Sequence, residues 1–416
     1  MRPIVLLFAL FAVCSQASSQ KLLVISVDGL DVRYLKNADR LGLKIPTLRK
    51  LAAEGVLSEG VVGIVPTVTW PSHTTLITGV PAEEHGILTN DQPGMPGQRW
   101  WFVRFLKAPT LWELAGQKGM KAAAVFWPVT VGAKVDFNIP EFWVTRSAHS
   151  IAFAPMAERS TPGLVDRVAA AYPSFPKSLW DDTSAMQSVR YLLEHEQPDL
   201  TLAHIADFDA EQHEMGAFST PAKAILERAD ELIGWTLQKL PPGTLVSIVS
   251  DHGFENVNKV VRPSAMLKEA GMTGAEVAVL NGLIGTKEPM VADFFRSRTG
   301  RPGNGLAREV PVVEVQRMAP ALGTVWTAFF ETAAGHVASP DVEGPPISQG
   351  SGKGTHGLWP TRADYRATFL IWGPGVRRGK LPEISMLDIA PTWAEILGVK
   401  LERARSASLW PEIKVR

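Results

Sequence analysis

KLLVISVDG, from Lys21 to Gly29, decides the class of fold. Its apolar residues run without the polar alternation of a half-exposed strand, and Asp-Gly closes the run as a turn. It therefore reads as a strand buried on both faces. Met120 to Phe126 (MKAAAVF), Leu200 to Ile205 (LTLAHI), Thr244 to Val249 (TLVSIV) and Ala367 to Ile371 (ATFLI) read the same way. Helical patterns lie among them. Pro46 to Glu54 (PTLRKLAAE) has proline in its first turn and Gly55 as its stop, and Ile389 to Leu397 (IAPTWAEIL) closes the series. This alternation predicts an α/β fold, a central mostly parallel sheet with helices on both faces. The stretch from Asn256 to Gly350 is less regular and is expected to be an insertion at about 256–350, cap-like over the strand ends.

Composition narrows the function. With 45 % hydrophobic and 20 % charged residues among 416, the chain has the make-up of a folded protein. The 42 basic and 42 acidic side chains cancel, so charge gives no case for nucleic-acid or anionic-membrane binding. Arg2, the apolar run Ile4 to Val13 and the small residues Ser15 and Ala17 read as an export signal over 1–19, with 20–416 as the main domain. Periplasmic or secreted location is therefore expected. A lipid anchor on Cys14 ranks second, because Val13 is bulkier than the residue that precedes a lipidated cysteine. No later stretch approaches the ~20 apolar residues of a membrane-spanning helix. Cys14 is the only cysteine, so after cleavage any metal must rest on His, Asp and Glu. No oligomeric state is implied.

The candidate chemistry lies just past the strands, where open parallel sheets bind their ligands. Asp28 follows the first strand, and Asp251 and His252 follow the strand Thr244 to Val249. Asp209 and His213, four residues apart, share one face of a helical turn, and His356 stands alone before Gly357. Singly, most of these have ordinary explanations as turns or solvated faces. Together they offer three carboxylates and three imidazoles, a donor set suited to two divalent ions, which need roughly six or seven protein ligands. Two such ions ~4 Å apart can stabilise the attacking and leaving oxygens of a phosphoryl displacement. Thr69 is the candidate nucleophile. Pro71 suits the first turn of a helix running to Thr78, with Gly79 as its stop, which puts Thr69 at the positive end of the helix dipole.

The order Asp-Gly, then Pro66-Thr67-Val68-Thr69-Trp70-Pro71, then Thr78-Gly79 with His85-Gly86 and Asn90, resembles the nucleotide pyrophosphatase/phosphodiesterase family of the alkaline phosphatase superfamily. Ala108 to Pro128 and the DIAPT ending within Leu387 to Gly398 extend the resemblance over nearly the whole chain. It implies an alkaline-phosphatase-like fold and two divalent metal ions, zinc first among them. Asp28, Thr69, Asp251 and His252 would form one metal site, and Asp209, His213 and His356 the other. It further implies Thr69 as the nucleophile of a phosphothreonine intermediate and Asn90 as a donor to a phosphate oxygen. Trp70 is implied as a stacking surface for a nucleotide base, with packing of its own loop as the equal alternative. Asp209 is preferred to Asp207 on the Asp-x-x-x-His spacing. His73, His85 and His204 are read as supports.

The expected activity is hydrolysis of a phosphodiester or pyrophosphate bond in a small-molecule substrate. A phosphomonoesterase or phosphonate hydrolase on the same scaffold is the alternative. A monoesterase would need a further cation for the dianion, and Arg99 is a candidate. A sulfatase is disfavoured, since threonine cannot become formylglycine. An inactive exported binding protein comes last, because all seven ligand-type positions are intact.

Overall fold

The computed structural model describes residues 20–143, 145–147, 150–151, 157–176 and 181–415; the expected export signal lies outside them. Eight strands form the main sheet: β1 (Leu22–Val27), β2 (Val56–Ser58), β3 (Ala122–Val125), β4 (Phe137–Ile139), β5 (Leu200–Ile205), β6 (Leu245–Val249), β7 (Phe369–Trp372) and β8 (Gly379–Leu381). Their spatial order is β8-β2-β7-β6-β1-β5-β3-β4. All neighbours are parallel except those of β7, which runs against both β6 and β2. β1 sits in the middle, with Leu22 opposite both Leu200 and Leu245.

Side-chain alternation along these strands builds two cores, one on each face. Leu23, Ile25 and Val27 of β1 join Ala203, Ile205, Val246 and Ile248 on one side. Helices α1 (Pro46–Glu54), α4 (Asp182–Tyr191) and α6 (Thr220–Leu237) cover that side through Leu48, Met186, Val189, Leu226 and Ile233. Leu22 and Val24 face the other way with Leu200, Leu202 and Leu245. There α2 (Thr69–Thr78), α3 (Leu111–Gln117) and α7 (Ile389–Ile396) supply Leu76, Ile77, Trp112 and Trp393. The remaining helix that matters to the site, α5 (Asp207–Met215), begins right after β5.

The expected strand at Ala367 to Ile371 starts later, at Phe369. Ala367 instead bridges to Asp31 and Val61, outside the register of β7. Helix α2 begins at Thr69, two residues before Pro71, and ends on Gly79, whose φ of 70° is the left-handed conformation glycine adopts freely.

Residues between β6 and β7 build two smaller sheets. One joins Lys259–Val261, His336–Ala338 and Ile347–Gln349; the other joins Ala278–Leu280, Leu283–Thr286, Leu306–Val310 and Ala328–Thr332. Val261, Met266, Ile284, Phe295 and Phe330 give them a core of their own. The chain returns through Gly354–Thr355, which pairs antiparallel with Glu255–Asn256 and so brings His356 back beside the end of β6.

Trp393 is fully buried, and its indole N–H donates to Ser247 Oγ on β6 across 3.2 Å, tying α7 to the sheet. Trp393→Ala is expected to lower the unfolding free energy by about 3–5 kcal/mol, read by chemical denaturation.

Candidate active site

Three adjacent parallel strands, β5, β1 and β6, deliver the candidate residues to one edge. Asp28 is the first residue after β1, and Asp251 and His252 follow β6. Asp209 and His213 project from α5, with His213 Nε2 3.5 Å from Asp209 Oδ2. His252 Nε2 lies 3.3 Å from Asp28 Oδ1 and 3.1 Å from Asp251 Oδ2. The His356 ring stacks on His252, centroids 3.7 Å apart and planes within 10°, and its Nε2 is 3.8 Å from Asp209 Oδ1. Donor atoms of Asp28, Asp251 and His252 lie within 4.8 Å of one another, as do those of Asp209, His252 and His356. His252 thus reaches both groups. His213 stands at the outer side, its ring 5.0 Å from that of His356.

This arrangement is costly on its own. Asp28 Oδ1, Asp209 Oδ1, Asp251 Oδ2 and His252 Nε2 are buried without hydrogen-bond partners among the described residues, and unpaired buried polar atoms are destabilising. Burial, then the charge of Asp251, pushes the Asp209 carboxyl up to about 8, and burial and Asp251 raise Asp28 well above the aspartate range. Burial holds His252, His356 and His213 below the ordinary histidine value, so their nitrogens are free to ligate. Divalent cations would satisfy all four orphaned atoms and offset the clustered negative charge, so the donor set fits two such ions.

Gly29 shapes the turn under this cluster. Its φ is 67°, and a Cβ there would meet the Phe254 ring at 2.9 Å and Gln212 Nε2 at 3.0 Å. Gln212 in turn donates to Gly29 O and accepts from the Tyr34 hydroxyl, locking the Asp28-Gly29 turn to α5.

Thr69 is the first residue of α2 and is buried. His73 Nδ1 donates to Thr69 O across 2.9 Å, and His73 Nε2 accepts from Ser26 Oγ of β1. Burial, then repulsion from His204, lowers His73 to about 3, which keeps it neutral. His73 Nδ1 also lies 3.7 Å from Asp251 Oδ2, so one buried ring contacts both the backbone of Thr69 and the carboxylate cluster. Asn90 Oδ1 accepts the Trp70 N–H at 3.0 Å, leaving the Asn90 amide NH2 as the end that can donate to a substrate oxygen. Trp70 is only 3 % exposed, edge-on to Trp101 and Trp143, and Arg99 lies 5.0 Å over its ring. A planar base would reach that face only if Arg99 swung aside.

Asp207 turns away from the cluster and accepts the Asp182 N–H, while Asp182 Oδ1 accepts the N–H groups of Ala206 and Asp207. His85 accepts the Ile87 N–H and contacts Thr75, fixing the loop that leads to Asn90. His204 contacts Asp28 from beneath at 3.0 Å. Glu141, also beneath, was not anticipated; its one sequence signal is a lone carboxylate in the apolar run Ile139 to Trp143. Thr67 is another missed link: its hydroxyl donates to Leu358 O and accepts from Tyr365, and its carbonyl faces His356 Nδ1.

The raised Asp209 has a consequence for metal-free protein. Between about pH 4 and 8 the folded chain holds a proton that the unfolded chain has lost. Stability from this group is therefore fullest near pH 4 and is lost as pH rises through about 8. With chelator present, the melting midpoint is expected to fall between pH 6 and pH 8 and to fall less in Asp209→Asn, followed by circular dichroism.

Residues 22–316 match the family model described as type I phosphodiesterase/nucleotide pyrophosphatase. Among curated proteins, the venom phosphodiesterase of Naja atra is 25 % identical over 266 residues, 59 % of this chain and 28 % of that protein. Human ectonucleotide pyrophosphatase/phosphodiesterase family member 7 is 26 % identical over 59 % of this chain and 50 % of its own length. Mouse bis(5'-adenosyl)-triphosphatase is 27 % identical over 59 % of this chain and 49 % of that protein. The chain spans half or less of the length of these relatives. The solved structure of murine ectonucleotide pyrophosphatase/phosphodiesterase 5, an inactive form in complex with AMP, shares the fold with a TM-score of 0.63 and 18 % identity, covering 95 % of this chain and 100 % of that one. The match to the family model extends over most of the sheet and most of the candidate site, and this chain belongs to the type I phosphodiesterase/nucleotide pyrophosphatase family.

Proposed function

We propose that this chain is an exported, metal-dependent hydrolase that cleaves phosphodiester or pyrophosphate bonds in small molecules, nucleotides among them. The observation that carries the reading is the convergence, at one sheet edge, of three carboxylates and three imidazoles, four of whose buried atoms have no hydrogen-bond partner among the described residues. The names of the matched relatives, a venom phosphodiesterase and a bis(5'-adenosyl)-triphosphatase, support the substrate class.

Asp28, Asp251 and His252, with Thr69, would hold one divalent ion, and Asp209, His213 and His356 the other, zinc being the first choice for this donor set. Bound there, the ions would supply the charge that lowers the pKa of a threonine hydroxyl and offsets negative charge on a departing oxygen. Thr69 Oγ1 attacks phosphorus at the amino end of α2, its proton passes to solvent water, and the bond from phosphorus to the alcohol or phosphate leaving group breaks, its electron pair departing with that oxygen. Water then attacks the phosphothreonine, breaks the bond from phosphorus to Oγ1 and returns Thr69 to its starting state. The Asn90 amide donates to a non-bridging oxygen throughout, held in that orientation by the Trp70 N–H. We assign residues 256–350 as an insertion that carries no ligand itself but closes the chain back onto His356.

The pairing of Arg99 with Asp91 favours a diester over a monoester. The Arg99 guanidinium is ion-paired with Asp91 at 2.9 Å, so it brings little net charge for a dianionic phosphate.

The test compares zinc-loaded protein on bis-p-nitrophenyl phosphate and p-nitrophenyl phosphate. A preference for the diester is expected, lost by roughly 10³-fold or more in Thr69→Ala, with Thr69→Ser retaining part of the activity. A preference for the monoester would keep the scaffold but overturn the substrate class. No turnover of either with two metals bound would overturn the hydrolase reading for phosphate esters.

A further inference from the structure

His204 is the fifth residue of β5, opposite Ser26 of β1, and its side chain is 1 % exposed. Its Nε2 lies 3.0 Å from Asp28 Oδ2. Its Nδ1 lies 3.2 Å from the Phe126 carbonyl and 3.5 Å from Glu141 Oε2. Glu141 is itself 2 % exposed, and its Oε2 has no hydrogen-bond partner among the described residues.

The Phe126 carbonyl cannot donate, so Nδ1 carries a hydrogen. Nε2 is the ring atom that meets Asp28 Oδ2, and Glu141 Oε2 stands on the far side of the ring, 3.5 Å from Nδ1. The result is a buried chain of Glu141, His204 and Asp28, ending on the carboxylate whose other oxygen, Oδ1, faces Asp251 and His252 without a hydrogen-bond partner among the described residues.

We propose that His204, backed by Glu141, is a positioning residue that pins Asp28 Oδ2 and thereby presents Oδ1 to the cation held with Asp251 and His252. Without it the Asp28 carboxylate is free to rotate and its outward oxygen is no longer fixed. Among the described residues no hydrogen bond or ion pair joins His204 to Asp209, His213 or His356; only its charge reaches Asp209, so that group is expected to change far less. The inference rests on the two-metal reading above.

The experiment is zinc titration of the metal-free full chain against a chelating dye, with the thermal midpoint of each metal-free variant measured alongside. Wild type is expected to bind two equivalents. In His204→Leu one class of zinc weakens by about 10–100-fold while the other stays within about threefold, the scale known for partners of metal ligands. His204→Gln places an amide N–H near the Nε2 position and is expected to restore most of the lost affinity. His204→Asn reaches only the Nδ1 position and is not. That Gln–Asn pair carries the test where the leucine variant does not fold, since both keep a polar group in the cavity. Unchanged binding of both equivalents in the leucine variant, equal weakening of both classes, or a Gln variant as weak as the Asn variant would overturn the inference. If wild type binds fewer than two equivalents, the two-metal reading itself fails, and the inference falls with it.

Discussion

Desolvated negative charge at the ends of three neighbouring strands is the constraint on which the rest of the structure depends. Asp28, Asp209 and Asp251 lie close enough for each of the first two to feel the charge of the third. A protein interior tolerates that only with a counter-charge or a retained proton. The surrounding features can be understood as consequences: neutral imidazoles with free nitrogens, a helix whose amino end opens beside the cluster, and a layer of His73, His204 and Glu141 that fixes ring and carboxylate orientations from below. The sheet makes this possible because its central strands are buried on both faces, so their ends cannot shift without disturbing two cores at once.

The segment between β6 and β7 has a similar logic. Its two sheets pack on their own core, yet the chain must come back to the strand edge to place His356. The pairing of Gly354–Thr355 with Glu255–Asn256 does this, and Arg362 reinforces it, its guanidinium buried against Glu255 at 2.6 Å. Thr67 adds a second tether by facing His356 while lying two residues before Thr69. The loop with the candidate nucleophile and the loop with the last imidazole are thereby held to each other rather than merely near each other.

Much of this was legible in the sequence, for identifiable reasons. β1, β5 and β6 announce themselves because strands buried on both faces must be continuously apolar, and α1 matches its expected bounds because proline and glycine mark its ends. Asp209 and His213 could be paired from spacing alone, since four residues make one helical turn. Other features depend on distances no spacing encodes. The start of β7 is misplaced because Ala367 is apolar enough for a strand but is used in isolated bridges. The role of His252 as a neighbour of both groups appears only when its ring is seen stacked on His356. Glu141 was invisible for the same reason: its partner, His204, is 63 positions away.

The central claim is that this edge holds two cations side by side. Crystals of the zinc-loaded protein, measured on either side of the zinc absorption edge, test it most directly. The account predicts two anomalous peaks about 4 Å apart, one against Asp28, Asp251 and His252 and the other against Asp209, His213 and His356. A single peak, or peaks away from these residues, would contradict it.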